Sequence, residues 1–216
     1  MIGDRLKQLQ KELSPGVRLV AVSKFKPAAD ILEAYRAGQR DFGENYVQEL
    51  VDKAKGLPTD IHWHFIGHLQ TNKVKYIAPF VHLIHSVDSL KLLKEINKQA
   101  ANSDRVIDCL IQVHIAREET KSGLTAAGFL ELLGDALLPT LKHVRIIGVM
   151  GMSTQTNDEE MIRSEFRRLK TIFEKGRAIF PEMTEISMGM SGDWPVAVEE
   201  GSTMVRVGSA IFGARN

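Results

Sequence analysis

The sequence predicts an α/β protein, a single closed (β/α)8 barrel with one extra helix ahead of the first strand. Three observations lead there. Short β-branched runs alternate with longer helical patterns along the whole chain, and there are eight of them. No Gly-x-Gly-x-x-Gly follows the first run, where an open dinucleotide-binding sheet would carry one. Strict alternation means parallel strands with helical crossovers, and a count of eight is that of a closed barrel.

The elements follow in order. Residues 1–13 mix charges through an amphipathic helical pattern, with no apolar secretory segment behind them. The first strand is expected over 17–23 and its helix over 28–37. Asp41-Phe42-Gly43 is the second strand, before a helix over 47–55. The third strand, 61–66, precedes a helix near 72–77, and the fourth, 81–86, precedes a helix over 89–101. The fifth and longest, 106–113, leads to a helix over 126–137; the sixth, 144–150, leads to a long charged helix over 158–179. A short seventh strand, 185–188, is followed by a helical stretch near 194–199, and the eighth, 203–207, lies close to the end. No Pro/Gly/Ser-rich linker divides the chain, so residues 1–216 read as one domain.

Composition narrows the function. With 28 basic against 27 acidic side chains the net charge is +1, which argues against nucleic-acid binding by bulk charge. An apolar fraction of 44% is that of a globular chain rather than a disordered one. No run approaches the roughly 18 apolar residues of a membrane span, so a cytoplasmic protein is expected. The lone cysteine, Cys109, excludes an internal disulfide and reads as a small core residue. The charged helix 158–179 reads as a solvated face with i,i+4 pairs such as Glu159–Arg163.

Active sites of such barrels lie at the C-terminal strand ends. Val20, Val22 and Lys24 share one face of the first strand, so if the valines fill the interior, Lys24 points its amine into the mouth, as a nucleophile or a salt-bridged rim residue. The loops after strands seven and eight are the habitual phosphate site. Here they read Ser187-Met188-Gly189-Met190-Ser191-Gly192 and Gly208-Ser209, so hydroxyls and glycines from both can converge on one phosphate. A lysine opposite a phosphate site suggests pyridoxal 5′-phosphate. Arg206 then has a natural place at the pyridine nitrogen: a guanidinium only donates, so it bonds only an unprotonated ring nitrogen and leaves the ring a weaker electron sink.

Five motifs extend this over essentially the whole chain: Ala21-Val22-Ser23-Lys24, Phe42-Gly43-Glu44-Asn45, the run from Trp63 to Lys73, Ser187-Met188-Gly189-Met190-Ser191, and the run from Val205 to Gly213. On these residues the chain resembles the pyridoxal phosphate homeostasis protein family, the proline synthetase co-transcribed type. The resemblance implies the alanine racemase N-terminal barrel (fold type III) and a cofactor-binding protein without dedicated catalytic activity. It implies Lys24 as the Schiff-base lysine, Arg206 at the pyridine nitrogen and Asn45 beside the ring or its 3-hydroxyl. Ser187, Gly208 and Ser209 would take the phosphate, with Gly189 and Ser191 shaping that loop. Two positions depart from the family pattern. Ser209 stands where threonine is common and keeps the hydroxyl; Met150-Gly151-Met152-Ser153 replaces a proline-containing loop, so no ring contact carries over to Met150 or Met152.

The expected role is cofactor homeostasis: storage, buffering or delivery to apo enzymes, by a monomer that binds neither nucleic acid nor membrane. The alternative is an amino-acid racemase of low activity. A dedicated racemase needs an acid/base on each face of the cofactor. The related racemases supply a tyrosine through a second domain, for which a chain ending at Asn216 has no residues. Tyr35, Tyr46 and Tyr76 fall in the early helices. His62 and His64 share a strand face with His68 just beyond, but no acidic ligand is evident at a later strand end. They read as packing or hydrogen-bonding near the pocket, with no metal.

Overall fold

In β1 (Arg18–Val22), Leu19 and Ala21 pack outward against the helices, while Val20 between them turns to the barrel axis. The computed structural model describes residues 1–213. Around the ring, Leu83, Leu110, Met150 and Met204 join Val20 in a small apolar cluster, separate from the large one between strands and helices. The interior is thus filled by side chains, and any ligand must sit at an end.

The parallel strands pair in chain order into a closed barrel: β1, β2 (Asp41–Glu44), β3 (His62–Phe65), β4 (Leu83–Val87), β5 (Ile107–Gln112), β6 (Val144–Met150), β7 (Glu185–Ser187) and β8 (Met204–Val207). The predicted (β/α)8 architecture is observed. Closure rests on the β1–β8 seam, in register from Arg18↔Met204 to Ala21↔Val207. That seam brings the two ends of the chain together. Helix α1 (Ile2–Glu12) reinforces it, its Arg5 Nε donating to the Ile211 carbonyl at 2.6 Å.

Helices α2 (Ala28–Arg36), α3 (Val47–Gly56), α4 (Val74–Ile77) and α5 (Leu90–Asn102) lie between the early strands. Helices α6 (Ala126–Leu133), α7 (Glu159–Ile179) and α8 (Trp194–Glu199) lie between the later ones, and α9 (Ser209–Phe212) follows β8. Asp158 caps α7 by accepting the Met161 N–H at 3.1 Å. On α7, Arg163 pairs with Glu159 at 2.9 Å, as the i,i+4 spacing predicts, and also reaches Glu199, the last residue of α8, and Glu200 just beyond it, at 2.7 and 2.8 Å.

Two elements differ from expectation. Helix α6 stops at Leu133 rather than Leu137: Gly134 and Asp135 interrupt it, and Pro139 admits only a 3-10 turn over Leu138–Thr140. The single turn of α9 has no periodic signature of its own. Cys109 is fully buried in the outer apolar cluster, and burial pushes its thiol pKa up. Among the described residues no helix is long and apolar enough to cross a membrane.

The β6–β7 pair approaches closely at Gly148. A Cβ on Gly148 would lie 1.8 Å from the Glu185 carbonyl oxygen. Gly148→Ala is therefore expected to separate these strands and lower unfolding free energy by about 3 kcal/mol or more. Gly56→Ala, with nothing within 4 Å at the end of α3, is expected to be neutral or slightly stabilising. Thermal melts of the two variants check the contrast.

Candidate functional site

At the C-terminal lip, β1 ends at Val22 and a turn carries half-buried Lys24, two residues further along the face of Val20 and Val22. The turn is held from behind. Ser23 Oγ donates to buried Glu44 Oε1 at 2.6 Å, Lys53 Nζ reaches Glu44 at 2.7 Å and the Ser23 carbonyl at 2.7 Å, and Phe25 N–H donates to Glu49 at 2.6 Å. Both neighbours of Lys24 are thus tied to α3 or to the end of β2. Burial raises the Glu44 pKa, against the lowering by Lys53 and Ser23. Phe25 holds φ at 62°, a left-handed turn that an L residue adopts only when its surroundings impose it.

The loops after β7 and β8 converge as the sequence suggests. Gly208 N–H donates to Ser191 Oγ at 3.2 Å, and Arg206 N–H donates to the Gly189 carbonyl at 2.9 Å. Gly189 has φ +95°, and a Cβ there would lie 2.7 Å from that of Ala197, so this turn needs glycine. Ser209 is exposed at the start of α9, where the leading backbone N–H groups of a helix have no intrahelical partner. Ser153 Oγ bonds Asp193 at 2.5 Å, tying the loop after β6 to the loop after β7.

Arg206 lies beneath these loops, 4% exposed and in register with Val20. Burial lowers its pKa to about 10, partly offset by Asp193, so it stays cationic at neutral pH. Its Nη1 donates to Ser187 Oγ at 2.6 Å and its Nη2 to the Gly151 carbonyl at 3.0 Å. These contacts engage two of five guanidinium N–H donors.

Ser187 departs from its expected place among the phosphate contacts. It is fully buried, and its hydroxyl joins a relay through the barrel interior. His85 Nδ1 lies 3.0 Å from Ser187 Oγ, His85 Nε2 lies 2.9 Å from His64 Nδ1, and His64 Nε2 lies 2.9 Å from Asp41 Oδ1. Burial lowers the pKa of both imidazoles, that of His85 well below its usual value, so both are neutral. Burial pushes the Asp41 carboxyl up, but the His64 hydrogen bond and the electrostatic fields of His64, His62 and Arg18 together outweigh it, so the carboxyl is held low and ionised. The directions follow: His64 Nε2–H donates to Asp41, His85 Nε2–H to His64, the Ser187 hydroxyl to His85, and Arg206 to Ser187. Every donor points from the buried cation toward the carboxylate, and the Ser187 hydrogen is committed away from any anion.

Asn45 follows β2 at the mouth. Its Oδ1 is buried with no hydrogen-bond partner, an atom suited to accept from a ligand hydroxyl. Gly67 permits this arrangement, because a Cβ there would lie 2.1 Å from the Asn45 carbonyl oxygen. Met150 is buried in the interior cluster with Met152 packed against it. The histidine trio of the sequence reading splits up: His64 is enclosed, His62 is exposed at the opposite end of β3, and His68 pairs with Asp88 at 3.8 Å. Sequence reasoning missed Glu44, Lys53 and His85. The available signal was a Glu directly after Phe42-Gly43 and a His directly after Leu83-Ile84, each a polar group on a strand that closes the barrel.

The family described as "Alanine racemase, N-terminal domain" matches residues 2–216. A pyridoxal phosphate homeostasis protein of Vibrio alginolyticus is 44% identical over 205 residues, covering 93% of this chain and 87% of that protein. One of Haemophilus influenzae is 40% identical over 205 residues, with 93% and 86% covered. Among solved structures, PipY of Synechococcus elongatus with pyridoxal phosphate bound superposes with TM-score 0.89 at 38% identity, covering 99% of this chain and 100% of that one. The alanine racemase of Bartonella henselae gives 0.73 at 16% identity, covering 99% of this chain and 58% of that one, which shows a shared fold.

The relay carries a pH dependence. His85 stays neutral when folded and titrates near pH 6.5 when unfolded, so below pH 6.5 the unfolded state binds the extra proton and stability falls with pH. Between pH 7.5 and 5.5 this costs roughly 1 kcal/mol. Urea unfolding at the two pH values is expected to show at least that drop, since burial also holds His64 low, and a His85→Asn variant a drop smaller by roughly 1 kcal/mol.

Proposed function

This chain belongs to the pyridoxal phosphate homeostasis protein family, within the alanine racemase N-terminal domain class, and from that premise we propose that it binds pyridoxal 5′-phosphate at the C-terminal lip of its barrel to store, buffer or deliver it. The observation that carries the reading is a buried, cationic Arg206 beneath a mouth rimmed by Lys24, Asn45 and the Ser191–Gly208 junction. When bound, the cofactor supplies an aldehyde that combines reversibly with primary amines.

In this reading the Lys24 amine is the covalent anchor, held in place by the Ser23 and Phe25 contacts on either side. Asn45 Oδ1 accepts from the ring hydroxyl. Arg206 donates a guanidinium N–H to the pyridine nitrogen, oriented by Ser187 and the Gly151 carbonyl. Gly189, Ser191, Gly208 and Ser209 cradle the phosphate, while Ser187 supports Arg206.

The same geometry favours holding over turnover. Arg206 has no proton acceptor to offer and leaves the pyridine nitrogen unprotonated, so carbanion character is weakly stabilised. Each of the three tyrosines is held by a contact of its own, Tyr46 against the mouth turn itself. Tyr35 hydroxyl donates to Asp60 at 2.7 Å, Tyr46 packs on Phe25 with centroids 5.3 Å apart, and Lys73 and Lys75 lie over the Tyr76 ring. The proposal has the protein acting in the cytoplasm as a monomer, without dedicated catalysis, and passing cofactor to apo enzymes.

Titrating apo protein with pyridoxal phosphate is expected to raise a near-visible absorbance band that Lys24→Ala abolishes, and mixing with an apo enzyme to transfer the cofactor. Absence of the band in the wild-type protein, or its persistence in Lys24→Ala, overturns the anchor. Rapid alanine racemisation overturns the homeostasis reading, and a stable dimer by light scattering overturns the monomer. Asn45→Ala, losing one hydrogen bond, is expected to weaken binding about five- to tenfold in the same titration.

A further inference from the structure

The end of the barrel opposite Lys24 gathers a second set of side chains. Asp41 opens β2, His62 opens β3, and His82 immediately precedes β4, so three neighbouring strands each bring one group to one spot. Strand pairing fixes their backbones: Asp41 and His62 are register partners, and His82 N–H donates to the Trp63 carbonyl at 2.8 Å. The His62 and His82 rings stack with centroids 4.5 Å apart. One ligand atom from each of Asp41, His62 and His82 lies within 4.8 Å of the other two.

The spacing and chemistry suit a transition metal. His62 Nδ1 lies 3.4 Å from Asp41 Oδ1. Tetrahedral coordination at the usual ~2.0–2.1 Å bond lengths puts ligand atoms about 3.3 Å apart. Two imidazoles with one carboxylate match zinc and its first-row neighbours, whereas calcium and magnesium take oxygen ligands. Asp41 is held from inside by His64 Nε2 at 2.9 Å, the kind of hydrogen bond that fixes a ligating carboxylate. His62 and His82 are exposed, so their rings can turn from the stack toward a shared ion without disturbing the core. The acidic ligand that the sequence did not offer at a later strand end comes instead from the start of an earlier strand.

We propose that Asp41, His62 and His82 form a binding site for a zinc-type divalent transition-metal ion at the N-terminal end of the barrel, with a fourth position open to water. The site is distinct from the cofactor mouth and does not rest on the proposed cofactor function. Its one connection is Asp41, where the relay from Arg206 ends.

The test is calorimetric titration of chelator-treated full-length protein with zinc chloride, alongside His62→Gln, His82→Gln and the double variant. These positions are exposed, and circular dichroism checks that each variant is folded. One equivalent of zinc is expected to bind the wild-type chain, at least tenfold more weakly to either single variant, and not at all to the double variant. Pyridoxal phosphate uptake should be unchanged throughout. Absence of saturable zinc binding to the wild-type protein overturns the proposal. So does binding that survives intact in the double variant, which would place the ion on other histidines.

Discussion

A guanidinium taken almost wholly out of water is the constraint around which this barrel is organised. Arg206 sits at 4% exposure on the last strand, and a buried charge is tolerated only when its donors are matched and its field is answered. Ser187 and the Gly151 carbonyl provide the match, and Asp193 part of the field. From Ser187 a relay of hydrogen bonds continues through His85 and His64 to Asp41. Two neutral imidazoles transmit the direction of hydrogen bonding, because each must accept at one nitrogen and donate at the other. The ionised carboxylate at one end and the donor-only cation at the other leave a single consistent arrangement. Polar interior residues that would otherwise compete with packing thereby hold one arginine in one orientation.

The second requirement is closure. Lys24 follows the first strand and Arg206 lies in the last, and the β1–β8 seam, which pairs Val20 with Arg206, brings those two strands side by side. Glycines allow the tight approaches that closure and the mouth require: Gly148 where β6 meets β7, Gly67 against the Asn45 backbone, and Gly189 against α8. The apolar layer of Val20, Leu83, Leu110, Met150 and Met204 fills the interior, so the barrel is a packed core rather than a channel.

The likeness to alanine racemases is one of fold, at 16% identity in the Bartonella henselae case, while the homeostasis proteins share 40% or more in the two bacterial relatives described. The chemistry of the site agrees with that ordering. Under the proposed placement of Arg206 at the ring nitrogen, a donor-only partner, with tyrosines held by Asp60, Phe25 and lysines, suits a holder of a reactive aldehyde. A proton-transfer catalyst would need groups poised on both faces.

The sequence alone determined the architecture and the rim of the site. Alternation of strand and helix patterns is local, and side-chain parity along β1 places Lys24 on the face of Val20 before any contact is known. Arg206 shares a face with Met204 for the same reason, and glycine-serine turns announce the loops after β7 and β8. What the tertiary structure decided is which inward side chains of different strands meet. Ser187 looked like a phosphate contact, yet it meets His85, 102 residues away, because the stagger of a closed barrel sets side-chain height across the interior. Two residues of rise along β3 separate His62 from His64, leaving one exposed beside His82 and placing the other in the relay. Local patterns encode which face a residue occupies; only closure of the sheet fixes its partner on the far side.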